Sequence, residues 1–281
     1  MSNQTDFRFT DLPVVGKRVL RLGIAGNYGL TADDARWAAD QGANYWAWSA
    51  RMKITPALRD LLRADRDRHV VGMYGMGGWG SQVRRSVDKA LKVLATDYID
   101  IFKLGWLGRT SRYSEGIVEV LLQLKEEGKI LAIGTSIHDR IRAGKLARDS
   151  AIDLFMLRYS AKHPGAEQDV FPHLSVRQPA VVAYTATSWR QLLRPIKNVT
   201  MSPWPGTEVN PSIPPLTPGL CYRFCLTSPH VHIVLTGPKN RLQLQENLRA
   251  LNDGPLSANE MAWVREYGRK VKAAKKFDYL P

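Results

Sequence analysis

The chain has 281 residues, 44% of them hydrophobic, and a formal charge of +14 from 40 Lys and Arg against 26 Asp and Glu. That composition supplies a large core and excludes a disordered or fibrous chain. No apolar run reaches the roughly 18 residues a membrane span needs. Asp6, Arg8 and Asp11 interrupt the stretch from Met1 to Leu12, so no secretory signal is read there and a cytoplasmic protein is expected.

Along the chain, short β-branched or aromatic runs alternate with longer segments of helical spacing. Phe7-Arg8-Phe9 and the stretch after Gly16-Lys17 are expected to pair as a hairpin that caps the bottom of a barrel. Strands are then expected at Val19–Ala25, Asn44–Trp48, His69–Tyr74, Tyr98–Gly105, Ile130–Thr135, Leu154–Leu157, Val181–Tyr184 and Val231–Leu235. Thr31 before Asp33-Asp34 reads as a helix N-cap with acids in the first turn. Val83, Val87, Leu91 and Leu94 form an amphipathic face over Ser81–Ala95, and Val118, Leu121 and Leu122 do so in the next helix. Eight such units imply an α/β fold, a closed (β/α)₈ TIM barrel with an N-terminal β-hairpin cap, spanning residues 1–281 as one domain.

Three features invite other readings. Gly75-Met76-Gly77-Gly78-Trp79-Gly80 fits the dinucleotide fingerprint, but it falls in the third β-α unit, and the acid that should come after it, Asp97, precedes the next strand. A glycine turn at the barrel mouth explains the same letters. Cys221 and Cys225 are spaced i,i+4, which suits two small core residues of one helix and suits a disulfide poorly; no metal site is expected. The segment 195–218 carries seven prolines, comes after the seventh barrel strand and could form a lid over the mouth. The basic residues are scattered, densest at Arg269, Lys270, Lys272, Lys275 and Lys276, and no nucleic-acid motif accompanies them. An anionic partner is therefore sought among small molecules, such as a phosphorylated cofactor, rather than nucleic acid or membrane.

Val234-Leu235-Thr236-Gly237-Pro238-Lys239-Asn240, then Gln243, Glu246 and Asn247, resembles the turn after the eighth strand of the aldo-keto reductase superfamily. Thr96 to Ile101, Lys125 to Ser136 and Val182 to Thr185 resemble that family's fourth strand, its fourth helix with fifth strand, and a later strand end. In order and spacing the likeness runs from about Leu20 to Leu256. It implies an NADP-binding barrel. Gly237, Lys239, Gln243 and Asn247 would serve the adenosine side, Ser136 the nicotinamide carboxamide, and Tyr184 the nicotinamide ring.

The same resemblance shows the family's catalytic Asp, Tyr, Lys and His to be replaced: their places read Ala47, Met52, Gly75 and Gly105. Ile137 and Met156 stand where the nicotinamide side often has Asn and Gln. None of the four replacements can donate a proton or polarise a carbonyl. Lys103, inward by strand period with Gly105, and Tyr74 are the candidate substitutes; alternatively Lys103 snorkels to the rim and Tyr74 is a pocket wall. Tyr28 is read as a second wall, and Arg51 and Arg158 as possible holders of an anionic substrate or as surface and paired residues. His138 is either an acid-base group or a histidine capped at a helix start. The expectation is an NADP(H)-binding divergent oxidoreductase with non-standard catalytic residues and a small-molecule substrate. The alternative is a non-catalytic regulatory or binding barrel. The sequence leaves turnover open.

Overall fold

The computed structural model describes residues 6–75, 78–107, 113–196, 201–207 and 215–274. Strands β1 (Phe9–Leu12) and β2 (Lys17–Leu20) form an antiparallel hairpin, with Phe9 opposite Leu20 and Leu12 opposite Lys17. Gly16 closes its turn at φ +64, a left-handed conformation that glycine adopts without steric cost. Then come β3 (Leu22–Ala25), α1 (Ala32–Asp40), β4 (Tyr45–Trp48), α2 (Thr55–Ala64), β5 (Val70–Gly75), α3 (Gly80–Leu94), β6 (Ile99–Leu107) and α4 (Glu115–Glu126). The second half runs β7 (Ile130–Ile137), α5 (Arg140–Arg148), β8 (Leu154–Arg158), α6 (Ala166–Asp169), β9 (Ala180–Tyr184), α7 (Pro218–Thr227), β10 (Ile233–Thr236), α8 (Arg241–Arg249) and α9 (Ala258–Ala273). Strands β3 to β10 close a barrel of parallel neighbours, with β10 pairing both β3 and β9. Among the described residues no helix is long and apolar enough to cross a membrane.

The closed sheet sorts side chains by strand period. Tyr45, Val70, Leu154, Ala180 and Ile233, each the first residue of its strand, point inward and pack against Leu12 and Val19 of the hairpin. The hairpin therefore plugs the end of the barrel where the strands begin. Trp46, Trp48, Val71, Phe102, Ile133 and Phe155 point outward, into the layer shared with the helices.

A buried ion cluster ties the plug down. The Asp100 carboxylate on β6 is fully buried and accepts hydrogen bonds from Lys17 Nζ at 2.7 Å, Arg66 Nη2 at 2.8 Å and the Val71 N–H at 2.8 Å. Arg66 also lies over the Tyr98 ring, 3.7 Å from its centroid. Charges this deep hold only when paired and fully hydrogen-bonded.

Two expectations need correction. The run Val19–Ala25 is not one strand. It breaks at Arg21, whose guanidinium turns aside to donate to the carbonyls of Leu226, Val231 and His232. In α4 the buried face is Ile117, Leu121 and Leu124, while Leu122 is exposed, because the helix lies on the barrel about one position round from the expected stripe. The Thr31 cap is as expected: Asp34 N donates to Thr31 Oγ1 and the Thr31 N–H donates back to Asp34 Oδ2. Cys221 and Cys225 are free and buried within α7.

Replacing Asp100 by Ala strands Lys17 and Arg66 without their carboxylate. The expected loss is about 3–5 kcal/mol, read as a lower urea midpoint in equilibrium unfolding.

Candidate active site

With the far end plugged, open space remains at the end where the strands finish. A cavity of about 690 Å³ lies there. Its walls come from loops that local bonding fixes. Trp48 Nε1 donates to Thr55 Oγ1, which donates to the Met52 carbonyl, so the turn after β4 delivers Ser49 and Met52 to the cavity. Tyr28, from the loop after β3, rests on Gly237: a Cβ there would lie 2.4 Å from the Tyr28 ring, so a larger residue would push the ring aside. Trp189 and Arg190 line the cavity from the segment after β9.

Of the residues expected at a cofactor site, Ser136, Tyr184, Gly237 and Lys239 line this one cavity. Ser136 is buried, and its hydroxyl has no hydrogen-bond partner among the described residues. Lys239 is exposed and makes no ion pair among the described residues. Gln243 and Asn247 do not reach the cavity wall. Gln243 accepts the Lys239 N–H, and buried Asn247 donates to Thr236 Oγ1, which also bonds Tyr222. These two shape the turn that carries Gly237 and Lys239.

The four places expected for the family's catalytic groups divide. Ala47, Met52 and Gly105 line the cavity. Gly75 does not: it faces outward, where an added Cβ would lie 2.0 Å from the Phe102 ring. The inward residue at the end of β5 is Tyr74, which lines the floor with its hydroxyl 2.7 Å from Met156 Sδ.

Lys103 does not snorkel. It is fully buried in the layer beneath the floor, with Nζ 4.1 Å from the Tyr74 ring centroid and 6.0 Å from that of Tyr45. Neither Nζ nor the Tyr45 hydroxyl has a hydrogen-bond partner among the described residues. Two glycines make room for it: a Cβ at Gly72 would lie 3.1 Å from Nζ, and one at Gly134 2.8 Å from Cγ. Burial brings the Lys103 amine down to about 7 and pushes the Tyr74 phenol well above its usual range.

His138 lies just before the start of α5 and contacts a residue of the cavity wall. Asp139 caps α5, and His138 is hydrogen-bonded to the Tyr184 hydroxyl, with Nδ1 at 3.1 Å. Burial, and then the Arg158 charge, lower its basicity, while burial raises the Tyr184 phenol to about 12. The ends of β7, β8 and β9 thus bring His138, Arg158 and Tyr184 together. Arg51 is exposed and does not line the cavity.

Sequence reasoning missed the segment after Tyr184. Thr185, Ser188, Trp189 and Arg190 all have left-handed backbones, with φ from +50 to +66. No glycine or asparagine signals it. The described residues of the proline-rich segment do not line the cavity: Leu216 N donates to the Leu192 carbonyl, Trp263 of α9 donates to the Ser202 carbonyl, and Trp204 packs edge-on against Trp263. Residues 197–200 and 208–214, Met76 and Gly77 of the glycine run, and Lys275 and Lys276 fall outside the described residues.

A sequence model of the aldo/keto reductase family matches residues 52–194, half of the chain. The chain belongs to the aldo/keto reductase family. Among solved structures it is similar to aldo-keto reductase AKR11C1 from Bacillus halodurans. The TM-score is 0.73 and the identity 20% for the holo form, covering 96% of this chain and 98% of that one. For the apo form the values are 0.71 and 21%, with the same coverage. At such identities the likeness speaks for the fold. No curated protein matches the chain by sequence.

This family member carries in its core a lysine without a hydrogen-bond partner among the described residues, and that sets a pH signature. The folded state resists protonating Lys103 until about pH 7, whereas an unfolded lysine holds its proton to 10.5. Between these values the unfolded chain binds more protons, so stability rises with pH. Lys103→Met should therefore stabilise the protein by roughly 3–5 kcal/mol at and below pH 7. The gain should shrink as the pH approaches 10.5, as read by urea unfolding at several pH values.

Proposed function

We propose that the cavity holds NADP(H) and that the chain is an oxidoreductase for a small carbonyl compound, working without the family's usual four groups. One observation carries this reading: Ser136, Tyr184, Gly237 and Lys239 line one cavity together with three places of the lost tetrad. Their chemistry fits the cofactor. The unpartnered Ser136 hydroxyl suits a carboxamide, the Tyr184 face suits a flat ring, and exposed Lys239 beside the start of α8 suits a phosphate. The group would supply hydride when bound.

The rest falls to the chain's own residues. Tyr74 presents a hydroxyl to the cavity, held only by the weak acceptor Met156 Sδ, and is the group to donate a proton to a carbonyl oxygen. Lys103 beneath its ring would favour the negative charge that the phenol acquires. A second reading has its own support. Ala47 and Gly105 offer no polar side chain where the family places an Asp and a His, and losing even one such group typically costs a factor of about 10²–10⁴. On that reading, with no carboxylate at Ala47 and no imidazole at Gly105, the barrel binds a nucleotide without turning over.

Titration with NADPH and NADH, monitored by quenching of the eight tryptophans, tests the first claim. Saturable binding with a preference for NADPH is expected, and no binding at millimolar cofactor would overturn it. Lys239→Ala should weaken NADPH far more than NADH; an equal loss for both would remove the phosphate role. Met52→Tyr alone should leave carbonyl reduction unrestored, because three other places stay empty of their groups.

A further inference from the structure

A further cavity opens beside the hairpin that plugs the barrel. It measures about 1000 Å³ and shares no lining residue with the one at the mouth. The hairpin forms one wall, and the turn after α7 with Leu251, Asn252 and Pro255 forms the other. Arg21, at the break between β2 and β3, also lines it.

Arg21 carries a charge that no acid answers. Among the described residues its guanidinium bonds only carbonyls: those of Leu226 at 2.7 Å and Val231 at 2.8 Å from Nη2, and that of His232 at 3.3 Å from Nε. These bonds fasten the turn after α7, but they use one side of the group. Nη1 keeps a single long contact, 3.5 Å to the Phe7 carbonyl, so it has an N–H to spare. Burial, with no acid near enough to offset it, brings the guanidinium down to about 10. A cation drawn out of water without a counter-ion is costly. The acids of the cavity are engaged elsewhere: Asp6 pairs with Arg8 at 3.1 Å and Asp11 with Arg18 at 3.7 Å. The carbonyls of Leu226 and Val231 bracket Ser228, which lines the cavity and whose hydroxyl has no partner among the described residues.

These groups fix the chemistry of an occupant. One surplus cation calls for one negative charge, and a dianion such as phosphate would also meet the carboxylates of Asp6 and Asp11. A carboxylate is the monoanion that suits a guanidinium edge. Beside that edge Phe7, Pro229, Leu251 and Pro255 offer apolar surface. We propose that this cavity binds an aliphatic monocarboxylate, its carboxylate on Arg21 Nη1 and the Ser228 hydroxyl and its tail against Phe7 and Leu251. The site is separate from the mouth of the barrel and does not depend on what binds there.

The full chain is titrated calorimetrically with hexanoate, with hexan-1-ol and with inorganic phosphate. Hexanoate should bind about tenfold more tightly than either of the others, the worth of one charge-assisted hydrogen bond. Arg21→Gln should remove that preference, but it also forfeits the carbonyl bonds that fasten the turn after α7. The deciding variant is therefore Asn252→Trp, at an exposed position on the cavity wall. It should fill the cavity and weaken hexanoate about tenfold or more while the urea midpoint stays unchanged. Arg190→Gln, at the mouth, should leave hexanoate binding as it is. The proposal is overturned if hexanoate shows no saturable binding at millimolar concentration, or binds no better than hexan-1-ol or phosphate. It is equally overturned if Asn252→Trp leaves hexanoate binding intact or Arg190→Gln abolishes it, since the anion would then lie elsewhere.

Discussion

A barrel of eight parallel strands encloses space for only one inward side chain at each level of each strand, and this limit governs everything else about the molecule. At the lower level the inward residues meet the hairpin, and Leu12 and Val19 fill what they leave. The middle level holds Lys103, admitted only because Gly72 and Gly134 on the flanking strands have no side chains. At the upper level Ala47 and Gly105 are too small to fill their share, and a cavity opens. Plug, lysine slot and cavity are three solutions to one packing problem.

The electrostatics of the interior derive from the same stacking. Charge is tolerated at the lower end because Asp100 meets two cations there. Higher up, groups are driven toward neutrality: burial lowers Lys103 and His138 and raises Tyr74 and Tyr184. The walls of the cavity are therefore soft and largely uncharged, and its cations, Lys239 and Arg190, are exposed at its edge. Other cations lie on the outer surface, where some meet acids, as in the pairs Arg84–Glu127 and Lys129–Asp88.

Much of the fold is legible in the sequence because it is local. Strand and helix periods, the Thr31 cap, the cysteine pair of α7 and the hairpin each arise from neighbouring residues. What escapes depends on distant ones. The break at Arg21 is made by three carbonyls about two hundred positions away. Whether Tyr74 or Gly75 faces inward depends on the pairing of β5 with β6 and shows only once Phe102 has claimed the outer side. The contact between His138 and Tyr184 joins two strand ends that are not adjacent in the barrel. The left-handed turn at Ser188–Arg190 has no compositional signal at all, and the contacts beside it are long-range, as in the Lys162 bond to Gln191.

The outward-facing Gly75 fixes what position 75 can hold. The Phe102 ring occupies the volume that any side chain at position 75 would enter. A mutation placing a long residue there meets the ring instead of the cavity, and removing the ring first opens a hole in the outer core. Either change alone costs packing. Position 75 thus belongs to the outer core, and the shape of the cavity is left to Tyr74 on the inner side.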